Sequence, residues 1–141
     1  MDNTFHCDIV SAHREIFSGE VAVVYASGID GELGIHPQHA PLFTQLKPGT
    51  VRVQDTDGQE QIFFVSGGLL EVQPHIVTIM ADTVARSDEL DRSAAMAAKA
   101  EAEQELANRT GEMEIAEAKI KLMKAMAQLQ TLERIRKRAK R

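Results

Sequence analysis

Residues 76–95 read Ile-Val-Thr-Ile-Met-Ala-Asp-Thr-Val-Ala-Arg-Ser-Asp-Glu-Leu-Asp-Arg-Ser-Ala-Ala, and this stretch divides the chain into two kinds of structure. Its first part is β-branched and typical of a strand. From Ser87 onward glycine and proline nearly vanish, while alanine, glutamate, lysine, leucine and methionine dominate, as in helices. We therefore predict an N-terminal all-β sandwich over residues 1–85, followed by a C-terminal antiparallel αα-hairpin over residues 86–141.

Short β-branched runs separated by Gly, Pro and Asp predict the strands of the sandwich. These runs are Phe5–Val10, Val21–Ala26, Thr50–Gln54, Gln61–Ser66, Leu69–Val72 and Ile76–Ala81. In the second run the residues that point to either side of the strand are apolar, so we expect this strand to be covered on both faces. Turn-forming residues at 55–58, Asp-Thr-Asp-Gly, predict a β-hairpin within residues 51–65. The phenylalanines all lie in this half and are expected to fill its core: Phe5, Phe17, Phe43, Phe63 and Phe64.

The helical half begins with residues that favour a helix start. Ser87 is a good N-cap and Asp88 places negative charge in the first turn, so the first helix is predicted to start near Asp88. Gly111 predicts a turn, and the second helix is expected from about Glu112 to Arg138. Two adjacent apolar stripes follow the helical repeat: Ile115, Leu122, Met126, Leu129 and Leu132 on one, and Met113, Ala116, Ile120, Met123 and Ala127 on the other.

The first helix offers mainly alanine to its partner, at positions 94, 95, 98 and 102. Alanine buries little apolar area, so we expect this hairpin to dock weakly. Methionine side chains repack easily against other surfaces, so the same hairpin is suited to leaving its own domain and binding another protein. A thin antiparallel hairpin without any such role has the same composition, and the sequence leaves both interpretations open.

Composition and charge exclude several classes of protein. The 141 residues carry a net charge of −5, and no apolar run approaches the roughly 18 residues of a membrane helix. With no signal-peptide pattern either, we expect a soluble cytoplasmic chain without membrane insertion. Cys7 is the single cysteine, which excludes an internal disulfide and a cysteine metal cluster.

The two halves differ in charge. Residues 1–85 hold 3 basic and 11 acidic side chains, whereas residues 86–141 hold 13 and 10. The last eight residues carry six basic side chains and no acid, which favours a polyanionic partner. Most nucleic-acid-binding proteins have a whole basic domain, whereas here only the C-terminal segment is basic, so nucleic acid is not the expected partner. An adaptor that binds nucleic acid or an acidic partner through this tail is the alternative function.

No catalytic motif is complete. The glycines of Gly28–Gly34 lack the context of a phosphate loop, and Lys47–Thr50 has the wrong order for one. Ser66–Gly68 lacks the glycine that precedes the serine of a nucleophile elbow. His36 and His39 have no evident third ligand, so no metal is expected. A free-standing enzyme or carbohydrate binder would need convergent polar groups that the sequence does not supply, and we predict no catalytic residue and no cofactor.

Several segments together resemble the epsilon subunit family of bacterial F-type ATP synthases, over essentially the whole chain. The segments are Asp8–Ala12, Ile16–Gly19, Gly31–Pro37, His39–Leu42, Lys47–Gly49 and Ser66–Val72. The resemblance implies a non-catalytic rotor subunit at the cytoplasmic face of the bacterial plasma membrane. It implies that the sandwich grips the gamma subunit and rests on the c-ring, with Gly31, Glu32, Gly34 and His39 at these contacts.

The resemblance also implies that the hairpin has two states, one folded on the sandwich and one extended into the catalytic head, where it restrains ATP hydrolysis. An inhibitory contact with the beta and gamma subunits is then expected from the basic residues of the second helix: Arg134, Arg136, Lys137, Arg138, Lys140 and Arg141. Without such a partner, cations at a helix C-terminus simply complement the helix dipole.

One motif of the family departs from its pattern here. Some members bind ATP through Leu/Ile-Asp-x-x-Arg-Ala, and the matching positions are Leu90, Asp91 and Ala95, with Ala94 in place of the arginine. Arg92 lies two residues earlier, roughly 200° away around a helix, and is expected to face elsewhere. We therefore predict weak or absent ATP binding.

Overall fold

The computed structural model describes residues 3–86, 89–108 and 111–139, with side chains through Lys137. Ten strands are followed by two helices, which confirms the predicted β-sandwich and αα-hairpin. The strands are β1 Phe5–Val10, β2 Glu15–Val21, β3 Val23–Gly28, β4 Gly31–Ile35, β5 Leu42–Leu46, β6 Gly49–Gln54, β7 Glu60–Val65, β8 Gly68–Val72, β9 Ile76–Ala81 and β10 Val84–Arg86. The helices are α1 Arg92–Asn108 and α2 Glu112–Ala139.

The strands form two layers joined at one corner. One layer has the order β10-β7-β6-β3, with β4 also paired to β3, and the other has the order β5-β8-β9-β1-β2. A single residue pair, Gly28 with Leu46, connects β3 to β5 and joins the layers. All pairings are antiparallel except β1 with β9. On the opposite side the ring of Phe17 contacts that of Phe63 edge-on, with centroids 6.0 Å apart.

The core between the layers is built from β-branched and aromatic side chains with almost no exposure. Its largest members come from both layers and include Ile9, Ile35, Phe63, Leu70 and Ile79. No residue of either helix belongs to this core cluster, among the residues that the structure describes. The sandwich therefore has a complete core of its own, as expected for a small independent domain.

Four strands were not predicted from the sequence: β2, β4, β5 and β10. Two of them contain glycine within the strand, at Gly19 and Gly34, and glycine lowers strand propensity. Gly31 begins β4 with φ +138°, so the expected turn in Gly28–Gly34 is confined to the two residues before it. Strand β10 crosses the predicted boundary at residue 85, and we place the division after Arg86.

Two phenylalanines do not fill the core as expected. Phe43 is 61% exposed on β5, because it alternates with the inward-facing neighbours of that strand. Phe64 is only 3% exposed but lies outside the core cluster, on the opposite face of β7 from Phe63. Phe5 and Phe63 are buried in the core and Phe17 packs against it, as predicted.

The predicted hairpin within residues 51–65 is confirmed, since β6 pairs with β7 in antiparallel register. The carboxylate of Asp55 accepts hydrogen bonds from the backbone N–H groups of Asp57 and Gln59, both at 2.9 Å. Gly58 has φ +82°, a conformation that favours glycine. Strand β3, which was expected to be covered on both faces, buries Val24 and Ala26 on one face, while Val23 on the other face is of intermediate exposure.

Helix α1 starts later than predicted, at Arg92, with Asp91 as its N-cap. The Asp91 carboxylate accepts hydrogen bonds from the N–H groups of Ser93 at 2.9 Å and Ala94 at 3.2 Å, which satisfies two of the free donors of the first turn. Aspartate and serine are comparable caps, so composition alone did not choose between them. The predicted cap Ser87 and first-turn Asp88 lie outside the described residues. The second helix starts at Glu112, as predicted.

Small residues are the buried ones in the hairpin. On α1 only Ala95 and Ala102 are buried, whereas the expected contacts Ala94 and Ala98 are exposed. On α2 the buried side chains are Ala118, Ala125, Ala127 and Thr131. Several large side chains of the predicted stripes stay largely exposed, namely Met113, Ile120, Met123 and Met126. The helices thus pack closely through alanine, which buries little area per residue.

Candidate functional site

The junction between α2 and the sandwich joins the two halves of the molecule. Helix α2 packs against β6 and β7. Thr50 on β6 and Phe64 on β7 are cross-strand partners, so their side chains share the face that α2 covers. Both are buried, and Phe64 is the large apolar side chain of this face. The hairpin therefore covers one phenylalanine that is no part of the core.

A buried hydrogen bond crosses this junction. The hydroxyl oxygens of Thr50 and Thr131 lie 2.7 Å apart. The Thr131 hydroxyl donates to the carbonyl of Ala127 at 2.8 Å, which leaves it to accept from Thr50. Thr131 was not singled out in the sequence analysis, although a threonine among the apolar positions of a helix is a signal for a buried polar contact.

An ion pair crosses the same junction one helical turn further along α2. The guanidinium of Arg134 donates to the carboxylate of Glu32 at 3.3 Å. Glu32 is the second residue of β4 and its side chain remains 63% exposed. The structure thus brings together one residue predicted to face the c-ring and one predicted to make the inhibitory contact.

The other residues expected to face the ring and gamma lie near β4 and in the loop that follows it. Gly34 packs against the ring of Tyr25, where an added Cβ would lie 3.3 Å from a ring carbon. His39 is partly exposed in the loop before β5, and its ring Nδ1 is 2.7 Å from the carbonyl of Ala40.

The basic end of α2 is partly neutralised within the chain. Arg136 donates to Glu133, and this hydrogen bond lowers the pKa of the Glu133 carboxyl. Lys137 is exposed. The side chain of Arg138 and all of Lys140 and Arg141 lie outside the described residues.

The expected nucleotide motif is engaged in structural contacts. Asp91 caps α1, as described above, and Ala95 is buried in the hairpin. Arg92 points to α2, where its guanidinium lies 4.0 Å from the carboxylate of Glu133. Ala94, at the position of the family's arginine, is exposed and carries no charge.

A cluster on the outer face of β1 and β2 was not foreseen. The carboxylate of Asp8 lies 2.7 Å from the Ser18 hydroxyl and 2.9 Å from the His6 ring. The same ring nitrogen of His6 also lies 3.2 Å from the Ser18 hydroxyl, and its other ring nitrogen lies 3.5 Å from the Glu20 carboxylate. The Ser18 hydrogen bond lowers the pKa of Asp8, so the cluster stabilises an aspartate anion.

The described residues form neither a cluster of metal ligands nor a membrane-spanning helix. Residues 3–86, 89–108 and 111–139 contain no group of three or more His, Cys, Asp or Glu side chains that could hold a metal ion. Neither helix, as far as the structure describes it, is long and apolar enough to cross a membrane.

The structure defines a β-sandwich protein with a C-terminal helical hairpin, and comparison with known proteins identifies its family. A model described as "ATP synthase, Delta/Epsilon chain, beta-sandwich domain" matches residues 4–87, and "ATP synthase, Delta/Epsilon chain, long alpha-helix domain" matches residues 88–133. The chain therefore belongs to the ATP synthase delta/epsilon chain family. Its members are subunits of a larger complex, which bears out the prediction that the chain is not an enzyme by itself.

Full-length relatives agree with this assignment. The ATP synthase epsilon chain of Alkalilimnicola ehrlichii is 55% identical and that of Nitrosococcus oceani 54% identical. The matches cover 99% and 98% of this chain, and 99% of each relative. The resemblance to the epsilon subunit family is thereby confirmed.

The fold also occurs in solved assemblies. A chain in the mitochondrial ATP synthase of Euglena gracilis, solved as OSCP/F1/c-ring, superposes with a TM-score of 0.82 at 21% identity, covering 90% of this chain and 80% of that one. A chain of the Tetrahymena thermophila central stalk and c-ring gives a TM-score of 0.62 at 14% identity, covering 91% and 96%. At these identities the likeness is one of fold.

Proposed function

We propose that this chain is a central-stalk subunit of an F-type ATP synthase that helps couple proton-driven rotation to ATP synthesis. In this proposal its C-terminal hairpin also restrains ATP hydrolysis. The observation that carries the second part is the contrast at the junction. The sandwich core is complete without the hairpin, while the contacts of the described part of α2 include a covered phenylalanine, the Thr50–Thr131 hydrogen bond and the Glu32–Arg134 ion pair, with alanine packing between the helices.

This contrast is what a two-state element requires. Such an element responds to partners when its states differ by only a few kcal/mol. Leaving the sandwich would not orphan a buried polar group, because Thr131 keeps its hydrogen bond to Ala127 and the other groups gain water. The exposed Met and Ile side chains of α2 offer adaptable contacts to another protein.

The proposed partners are the gamma subunit, the c-ring and the catalytic beta subunits. Glu32 lies beside the turn between β3 and β4, His39 lies in the loop between β4 and β5, and Phe43 is exposed in β5. An exposed aromatic ring beside polar loop residues is typical of a protein contact. The basic end of α2 is the proposed contact with the beta subunits, and the complex would lie at the cytoplasmic face of the bacterial plasma membrane.

Truncation tests this function. ATP hydrolysis is measured in the assembled complex with the full chain and with a chain that ends at Arg86, which keeps strand β10 and its contacts. We expect hydrolysis to rise on truncation while the complex stays assembled. A full-length chain with Arg134, Arg136 and Lys137 changed to Gln separates the basic end from the rest of the hairpin. Unchanged hydrolysis in the truncated complex would contradict the inhibitory role.

Nucleotide binding is proposed to be weak or absent. Ala94 leaves the motif without its arginine, and the Asp91 carboxylate already accepts two backbone hydrogen bonds. Isothermal titration of the full chain with MgATP is expected to give no saturable heat at micromolar concentrations. A micromolar dissociation constant that is lost in Asp91→Ala would contradict this expectation.

A further inference from the structure

Glu32 lies between helix α2 and the solvent-exposed edge of the sandwich. Its carboxylate oxygen Oε1 accepts the Arg134 hydrogen bond from α2, while most of the side chain is open to solvent at the start of β4. Gly31 before it has φ +138° and an open environment, so the chain reverses sharply here and presents Glu32 at the rim of the sandwich. The residue can therefore be approached by a second cation from outside the molecule.

Arg134 is placed for this contact by the buried threonine pair. Thr131 lies about one turn earlier on the same face of α2 and is fully buried against Thr50. The hydrogen bond forms only when Thr131 lies opposite Thr50, so it favours one position of α2 along the sheet. Arg134, three residues further along α2, then reaches the carboxylate of Glu32.

We propose that Glu32 is a shared carboxylate: a cationic group of the partner at the rim of the sandwich and Arg134 of the docked hairpin bind it in competition, so that engaging the partner loosens the hairpin. The proposal rests on the proposed function for its partner, the c-ring. Two cations at one carboxylate repel each other and divide its hydrogen-bonding capacity. Coupling of this kind is reciprocal, so a docked hairpin also weakens the contact with the ring.

The exposure of position 127 gives a direct readout of docking, because Ala127 lies one turn before Thr131 on the same face of α2 and is only 6% exposed. In a full chain carrying Ala127→Cys, which keeps the threonine pair, the introduced thiol is covered when α2 lies on the sheet and becomes reactive when it leaves. The native Cys7 gives little background, because it is fully buried and burial raises the pKa of its thiol to about 12. The rate of labelling by a thiol reagent thus measures the fraction of undocked hairpin.

The first experiment tests the pair in the isolated full chain. Glu32→Gln and Arg134→Gln are each expected to raise the labelling rate about 1.5- to 5-fold, the range of an exposed ion pair. The double variant should be no faster than either single one. Glu20→Gln is the matched control, since its carboxylate on β2 is equally exposed, at 62%, and contacts His6. Additive effects of the two substitutions would overturn the pairing.

The second experiment tests the competition in a rotor assembly of gamma and this chain, with and without the c-ring but lacking the catalytic head. Adding the ring is expected to raise the labelling rate about 1.5- to 5-fold in the chain with Glu32 and to leave the Glu32→Gln chain unchanged. An equal response in both chains, or no response in either, would overturn the shared carboxylate.

The two proposals fail in different ways. The inhibitory role is judged by ATP hydrolysis in the complete complex, whereas the shared carboxylate is judged without the catalytic head. If truncation raises ATP hydrolysis but adding the c-ring does not change the labelling rate, only the shared carboxylate is refuted. Failure of the chain to assemble with the ring would refute the proposed partner and with it the competition.

Discussion

Phe63 and Phe64 are neighbours in β7, yet they belong to different parts of the molecule. Phe63 is 1% exposed within the core between the two layers. Phe64 is 3% exposed and is covered from the other side, on the face where α2 lies. The same residue type thus contributes to the sandwich core at one position and to the junction with α2 at the next.

The comparison extends to everything around these residues. Beside Phe63 the core contains large β-branched and leucine side chains from both layers. Between the two helices the buried residues are alanines, and the junction adds polar contacts that water can replace. Alternation along one strand therefore lets one face of β7 contribute to the sandwich core and the other to the junction with α2.

The largest effect is expected for Phe63→Ala. Removing a fully buried phenylalanine leaves a cavity and costs about 3–5 kcal/mol of unfolding free energy. Urea unfolding should show this loss both in the full chain and in a chain that ends at Arg86. A loss confined to the full chain would contradict the placement of Phe63 in an independent core.

Phe64→Ala is the matched variant on the other face. In the full chain it should weaken hairpin docking by about 1.5–3 kcal/mol, the value of one buried phenylalanine. In the chain that ends at Arg86 the side chain is already exposed, so the loss should fall below about 1 kcal/mol. Equal losses in the two chains would break the comparison between the two phenylalanines.

The alanine interface is tested by overfilling it. Ala118→Leu places a large side chain where the exposed fraction is now zero, and we expect a cost of about 1–3 kcal/mol, limited to the helices. Helical circular dichroism should melt earlier while the unfolding of the sandwich is unchanged. Ala116→Leu, at an exposed position of the same helix, is the control and should leave both transitions in place.

The smallest effect is expected at Asp8. Its pKa is lowered in the folded chain by the hydrogen bond from Ser18, so ionised Asp8 adds stability above its ordinary pKa of 3.8. That contribution is lost as the pH falls through the lower pKa of the folded state. Ser18→Ala should therefore destabilise the sandwich at pH 7, and the difference from the unchanged chain should shrink as the pH falls below 3.8. In an Asp8→Asn background the effect of Ser18→Ala should no longer depend on pH in this range.

The sequence predicted the architecture because its two halves differ in local preference. Period-two runs and the turn at residues 55–58 identified six strands, and Gly111 separated the helices. The sequence did not predict four strands, because glycine, short length or mixed polarity obscures their alternating pattern: β2, β4, β5 and β10. Their pairing depends on partners that are distant in sequence, which local patterns do not reveal.

The site was predicted less completely than the fold. The resemblance named Glu32 and Arg134 separately, but 102 positions separate them and no pattern links them. Asp91 was expected in the first turn of the helix and in a nucleotide motif, whereas in the structure it caps α1. Large methionines looked like the packing surface, yet close approach of two helices favours alanine and leaves the methionines outside.

Native-state amide hydrogen exchange of the full chain tests the central claim, that the hairpin leaves while the sandwich stays folded. We expect the amides of α1 and α2 to exchange through openings of low free energy, while those of β1, β8 and β9 exchange only on global unfolding. The chain that ends at Arg86 should keep the protection of these strands. Equal opening free energies in the helices and the core strands, or loss of strand protection on truncation, would contradict the account.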